Sequence, residues 1–105
     1  MIRKVSVILA TLLITTNSFS QIDEPIEITS GKISGTILEG GVQAFLGVPF
    51  AAPPVGDLRW KAPAPVTPWS GTRIADRKGP DCLQGGGDSL MSEDCLYLNV
   101  WTKAE

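Results

Sequence analysis

Histidine is absent from this sequence of 105 residues, and cysteine occurs only twice. With no His and no second Cys pair, the familiar tetrahedral zinc sets cannot be assembled. Positive charge is also sparse and scattered: Arg73, Arg77 and Lys78 are interrupted by Asp76. That spacing reads as a solvated surface, not as the clustered basic patch that nucleic acid requires. No apolar run approaches the about 20 residues needed to cross a bilayer. There is no internal repeat and no long amphipathic helix. At this length the chain holds one small domain at most, and a core that small is marginal because short chains bury a smaller fraction of their surface.

What is present begins with a leader. Arg3 and Lys4 precede an uncharged, mostly apolar run over residues 5–14, and the polar stretch 15–20 follows with small residues at Ser18 and Ser20. A basic start, a run of this length and small residues near its end predict a secretory signal peptide over residues 1–20. Cleavage after Ser20 leaves Gln21 first and residues 21–105 as the exported body, secreted or periplasmic. A membrane anchor is the competing reading, and the run is short for it. No Cys near the cleavage point offers a lipid attachment site. Losing Arg3 and Lys4 leaves seven basic against eleven acidic residues, a net charge of −4. In an oxidising compartment the even pair Cys82 and Cys95 suggests a disulfide. Closing a loop of this size contributes ~3 kcal/mol on the chain-entropy account.

The body is rich in turns, with eight Pro and eleven Gly, mostly after Gly31. Ile26 and Ile28 alternate with polar neighbours. Ile33, Gly35 and Ile37 share one face of a run over residues 32–38, and Val42, Ala44 and Leu46 continue the period of two beyond Gly40-Gly41. Two alternating segments around Gly-Gly predict a β-hairpin, and the segment before Gly31 is a candidate third strand. Six prolines between Pro49 and Pro68 then exclude a helix or a central strand. This stretch is expected to lie extended over a surface, anchored by Phe50, Leu58, Trp60 and Trp69. Trp normally buries most of its ring, so these anchors call for a larger body than the chain supplies. Residues 95–102, Cys-Leu-Tyr-Leu-Asn-Val-Trp-Thr, predict a strand of a buried sheet.

Several blocks resemble one family. Residues 92–101, Ser-Glu-Asp-Cys-Leu-Tyr-Leu-Asn-Val-Trp, resemble the N-terminal signature of type-B carboxylesterases, the group that includes cholinesterases and lipases of similar build. Phe-Leu-Gly-Val-Pro-Phe-Ala at 45–51, Pro-Pro-Val-Gly-Asp-Leu-Arg-Trp at 53–60, Trp69 and Gly-Pro-Asp-Cys at 79–82 fall in the family's order. The resemblance covers about residues 31–102. It implies an α/β fold: the N-terminal portion of an α/β-hydrolase, incomplete, made of a small antiparallel hairpin sheet, a Pro-rich loop and the first strand of the main sheet. It also implies that Cys82 and Cys95 form the family's first disulfide. Arg59 and Glu93 match a pair that forms a largely buried salt bridge in similar proteins, and a guanidinium fork can grip a carboxylate by two bonds. In cholinesterases the cysteine-closed loop is longer and carries a Trp for the choline cation. No aromatic lies between Cys82 and Cys95 here, so a cation–π site on this loop is excluded and a choline-ester specialist is disfavoured.

Ester hydrolysis in this fold needs a Ser on a Gly-x-Ser-x-Gly elbow, a His base, an acidic orienter and an oxyanion hole. The His is missing, and so is the elbow. Gly-Lys-Ile-Ser-Gly at 31–35 has the wrong spacing and reads as a hairpin element. Gly85-Gly86-Gly87 lacks the His that precedes the family's glycine-rich oxyanion turn, and no Lys-Ser or Lys-Thr follows it to cradle phosphate. Ser92, Glu93 and Asp94 only mimic a triad, with no base between nucleophile and acid. Asp94 is either a second structural carboxylate or simply solvated.

No catalytic residue, metal or cofactor is therefore expected in this chain. Two readings of function follow. In the first, it is the N-terminal piece of a carboxylic ester hydrolase whose intact parent takes a small-molecule ester; neither nucleic acid nor, after leader removal, membrane is an expected partner. In the second, it is a small secreted binding or structural domain derived from an esterase N-terminus.

Overall fold

The computed structural model describes residues 20–86 and 90–103. Among these residues seven short strands form two sheets. They are β1 (Ser20–Gln21), β2 (Ile26–Ile28), β3 (Gly31–Ser34), β4 (Thr36–Ile37), β5 (Gln43–Pro49), β6 (Thr72–Ile74) and β7 (Tyr97–Thr102). One sheet runs β1-β4-β5-β7 and is antiparallel throughout. The other runs β2-β3-β6, with β3 and β6 parallel.

The hairpin falls where the two glycines put it. Gly40 and Gly41 take φ of 77° and 78° in a single 3-10 turn, and Leu38 N–H donates to the Val42 carbonyl at 2.8 Å. Strands β4 and β5 then pair with Thr36 opposite Ala44. The segment before Gly31 does add a strand, pairing Ile26 with Ile33. The run over residues 32–38 is not continuous, however. It divides at Gly35, so that β3 belongs to one sheet and β4 to the other. A Cβ at Gly35 would overlap the Ala44 carbonyl and stand 2.8 Å from the Phe45 ring, so only glycine lets the chain pass between sheets this closely.

Residues 74–76 tie the two sheets together. Ala75 N–H donates to the Ser34 carbonyl at 2.7 Å, and Leu46 N–H donates to the Ala75 carbonyl at 2.8 Å. The core lies at this junction: Ile33, Phe45, Val48 and Ala75 are buried, with Ile22, Ile28 and Trp69 packed against them. The simple alternation expected for β5 is broken by a bulge between Phe45 and Val48. Gly47 occupies the bulge with φ of 68°, and its N–H donates to Asn99 Oδ1 at 2.9 Å.

The Pro-rich segment is extended apart from one 3-10 turn, Gly56–Leu58. Of its expected anchors, Trp69 is held: its backbone N–H reaches the Ser30 carbonyl and its indole Nε1 the Lys32 carbonyl, both at 2.9 Å. Trp60 is not. It is fully exposed, and it is the one non-glycine residue with positive φ, 58°, among the described residues. The strand expected from Cys95 begins at Tyr97 and lies at a sheet edge, with Leu98 and Val100 exposed. Together with Ile26, Ile28, Ile33, Phe45 and Val48 these side chains line an apolar groove of about 500 Å³ between the sheets.

Candidate functional site

The residues singled out in the sequence converge on one cleft. Cys82, Cys95, Arg59 and Glu93 line a cavity of about 410 Å³ with Pro54, Trp60, Leu83 and Ser92. Arg59 is delivered by the 3-10 turn: its backbone N–H donates to the Gly56 carbonyl at 3.1 Å. The opposite wall is fixed by a short parallel bridge between Asp81 and Met91, in which Asp81 N–H donates to the Leu90 carbonyl and Ser92 N–H to the Asp81 carbonyl, each at 2.9 Å. Cys82 and Cys95 are joined by a disulfide with a Cα–Cα distance of 5.0 Å. Across the cleft, Arg59 Nη2 donates to Glu93 Oε2 at 2.5 Å.

Within this chain that ion pair is only partly buried. The Arg59 and Glu93 side chains retain 54% and 37% of their exposure. The hydrogen bond to Glu93, with its charge, raises the Arg59 pKa above the ordinary value. Water screening keeps the contribution of a pair this exposed small.

Every polar group that might have suggested catalysis here has a structural partner. Ser92 Oγ accepts from Asp94 N–H at 3.1 Å, a local turn contact. Glu93 is held by Arg59. Asp94 Oδ2 accepts from the Tyr97 hydroxyl at 3.0 Å, which resolves its role as a structural carboxylate. Burial first, and then the hydrogen bond to Asp94, push the Tyr97 pKa up. Ser34, in the 31–35 segment, is buried and donates to the Ile22 carbonyl at 3.1 Å. Among the described residues no cluster of three or more His, Cys, Asp or Glu could hold a metal ion, and no helix is long and apolar enough to cross a membrane. Residues 1–19 and Gly87, on which the expected leader and part of the glycine triplet fall, lie outside the described residues.

Some contacts had no signal in the sequence. The Arg73 guanidinium lies 5.6 Å from the centre of the Trp69 ring and Lys78 Nζ 5.9 Å from that of Trp101. Residues 72–74 pair with β3 although nothing in their pattern marks a strand.

A profile of the carboxylesterase family matches residues 23–105. Fumonisin B1 esterase of Sphingopyxis macrogoltabida is 53% identical over 79 residues, which are 70% of this chain and 14% of that protein. Phenmedipham hydrolase of Pseudarthrobacter oxydans is 46% identical over 92 residues, 77% of this chain and 19% of that one. Among solved structures, a PNB esterase superposes with a TM-score of 0.70 at 41% identity, covering 76% of this chain and 17% of its own. EstA of Aspergillus niger gives 0.66 at 36% identity, with 73% and 16% covered. The chain thus spans less than a fifth of the length of these relatives, and its partial sheets are a portion of the α/β-hydrolase fold. A match over residues 23–105, with relatives this similar, establishes that the chain belongs to the carboxylesterase family.

Proposed function

We propose that residues 21–105 are the N-terminal structural part of an exported carboxylic ester hydrolase, carried out of the cytoplasm by a leader over residues 1–20. Catalysis by the intact polypeptide proceeds through a Ser-derived acyl-enzyme on a small-molecule carboxylic ester. This part supplies no reacting group. It supplies a bulged hairpin, an edge strand and a disulfide-closed loop against which the remaining sheet is built. The observation that carries the reading is the engagement of Ser34, Ser92, Glu93 and Asp94 in structural hydrogen bonds, in a chain with no His to serve as base. The uncovered apolar groove and the edge position of β7 support it as well, because an unpaired edge beside exposed aliphatic side chains invites further strands. The two relatives named above carry different substrates in their names, so the ester itself is left to assay.

The test compares purified residues 21–105 with the longest reading frame that contains them, on a short-chain chromogenic ester. The short form is expected to give no turnover, since it has neither base nor Ser elbow. Turnover by the short form would overturn the assignment.

A further inference from the structure

We propose that folding masks the leader's own cleavage site, so that the Ser20–Gln21 bond is cut before residues 20–22 dock on β4. The inference rests on the leader proposed above and adds an order of events to it. Both residues of the bond form β1, with Ser20 opposite Ile37 and Gln21 opposite Thr36. Hydrogen bonds in an antiparallel ladder fall on alternate pairs. Ile22 N–H donates to the Gly35 carbonyl at 3.2 Å. The next bonded pair is therefore Ser20 with Ile37, and the Ser20 carbonyl oxygen accepts from Ile37 N–H.

That oxygen is the one on which cleavage acts. Hydrolysis adds one water across the bond: the C–N bond breaks, Ser20 leaves on the leader as a carboxylate, and Gln21 keeps the nitrogen as its α-amine. A peptidase first takes the segment as an extended strand paired by its main chain. Its donors must then receive the carbonyl oxygen as it becomes an oxyanion. In the folded sheet Ile37 N–H already holds that oxygen, and the other edge of β1 carries the Gln21 backbone groups instead. A strand of two residues at a chain end would fray by itself. Ile22 is what fastens it. Its side chain packs against the core of Ile33, Phe45, Val48 and Ala75, and its carbonyl accepts from the buried Ser34 hydroxyl at 3.1 Å. Freeing the bond therefore means withdrawing an apolar side chain from the core. These contacts are internal to residues 20–75, so further chain packed around them leaves the bond masked.

The test is an order-of-addition experiment on the intact precursor, leader included, unfolded in urea and diluted into nonionic detergent. Purified leader peptidase is added at the moment of dilution, or after Trp fluorescence shows that folding is complete. Intact mass should show Gln21 as the new start. Cleavage of the folded precursor should be at least about tenfold slower, because it proceeds only through local opening. Ser34→Ala removes the bond to Ile22 without altering the residues the peptidase reads. It should speed cleavage of the folded form alone. Equal rates in the two orders, with cleavage at Ser20–Gln21, would overturn the mask and leave the leader standing. No cleavage at this bond in either order would refute the leader, and the mask with it. A folded Ser34→Ala precursor cut no faster than the folded wild type would refute the clamp on Ile22.

Discussion

Gly47→Ala tests the bulge on which β5 and β7 are aligned. Gly47 has φ of 68°, and an added Cβ would stand 2.5 Å from the Arg77 carbonyl oxygen and 3.1 Å from Gly79 N. The first effect is conformational, since the left-handed region costs an L-residue about 1–2 kcal/mol. The second is steric. Both neighbours are backbone, so neither can rotate away, and forcing a methyl group into a filled site costs typically ~1–3 kcal/mol. Stiffening the unfolded chain returns about 0.4–1 kcal/mol. The net loss is therefore about 2–4 kcal/mol, read as a shift in urea midpoint followed by Trp fluorescence in the intact polypeptide. Gly40→Ala is the control. Gly40 has a similar φ of 77°, but its missing Cβ would meet nothing within 4 Å. It bears the conformational cost alone, about 1 kcal/mol after the same offset. If the two variants lose equal stability, the close passage of residues 77–79 over Gly47 is wrong.

Three further outcomes are expected. Tyr97 is the single tyrosine of the sequence, so phenolate absorbance of residues 21–105 reports it alone; burial and Asp94 raise its pKa, and the midpoint should exceed the ordinary value of about 10. A proton held more tightly when folded contributes stability that is complete below the unfolded pKa and is lost as pH rises through the folded one, so a midpoint at the ordinary value would mean that Tyr97 is not packed as described. Arg59→Ala and Glu93→Ala should each destabilise only slightly, because the pair is half-exposed, and the double variant should lose less than the sum; full additivity would show that the two do not interact. Intact mass of exported material should begin at or near Gln21, and Met1 retained in a membrane fraction would refute the leader.

The parts of the fold that were legible in the sequence are those specified within a few residues. Gly40-Gly41 between alternating segments specifies a hairpin because only glycine enters both positive-φ positions freely. Ile26 and Ile28 fall on a strand for the same local reason. Legibility ends where the partner is distant. The division of the 32–38 run at Gly35 depends on the Phe45 ring lying across that glycine, and β6 exists because residues 72–74 find β3, forty residues earlier in the chain. Neither fact leaves a period in the sequence.

The candidate site divides along the same line. A family resemblance brought Arg59 to Glu93 and Cys82 to Cys95 and implied a largely buried ion pair, yet the water each pair keeps depends on everything packed around it, of which this chain supplies only a part. Asp94 could be placed only once the Tyr97 hydroxyl was seen to reach it. Trp60 makes the point most sharply. Its size calls for a body larger than the chain supplies, and within the chain it stands fully exposed in a left-handed backbone conformation. Such a conformation persists only where surrounding structure over-determines it, and the Arg59–Glu93 bond immediately beside it supplies one such restraint. Releasing Arg59 should therefore relax Trp60, so the fluorescence of the Arg59→Ala variant should report a change at Trp60 as well as a lost ion pair.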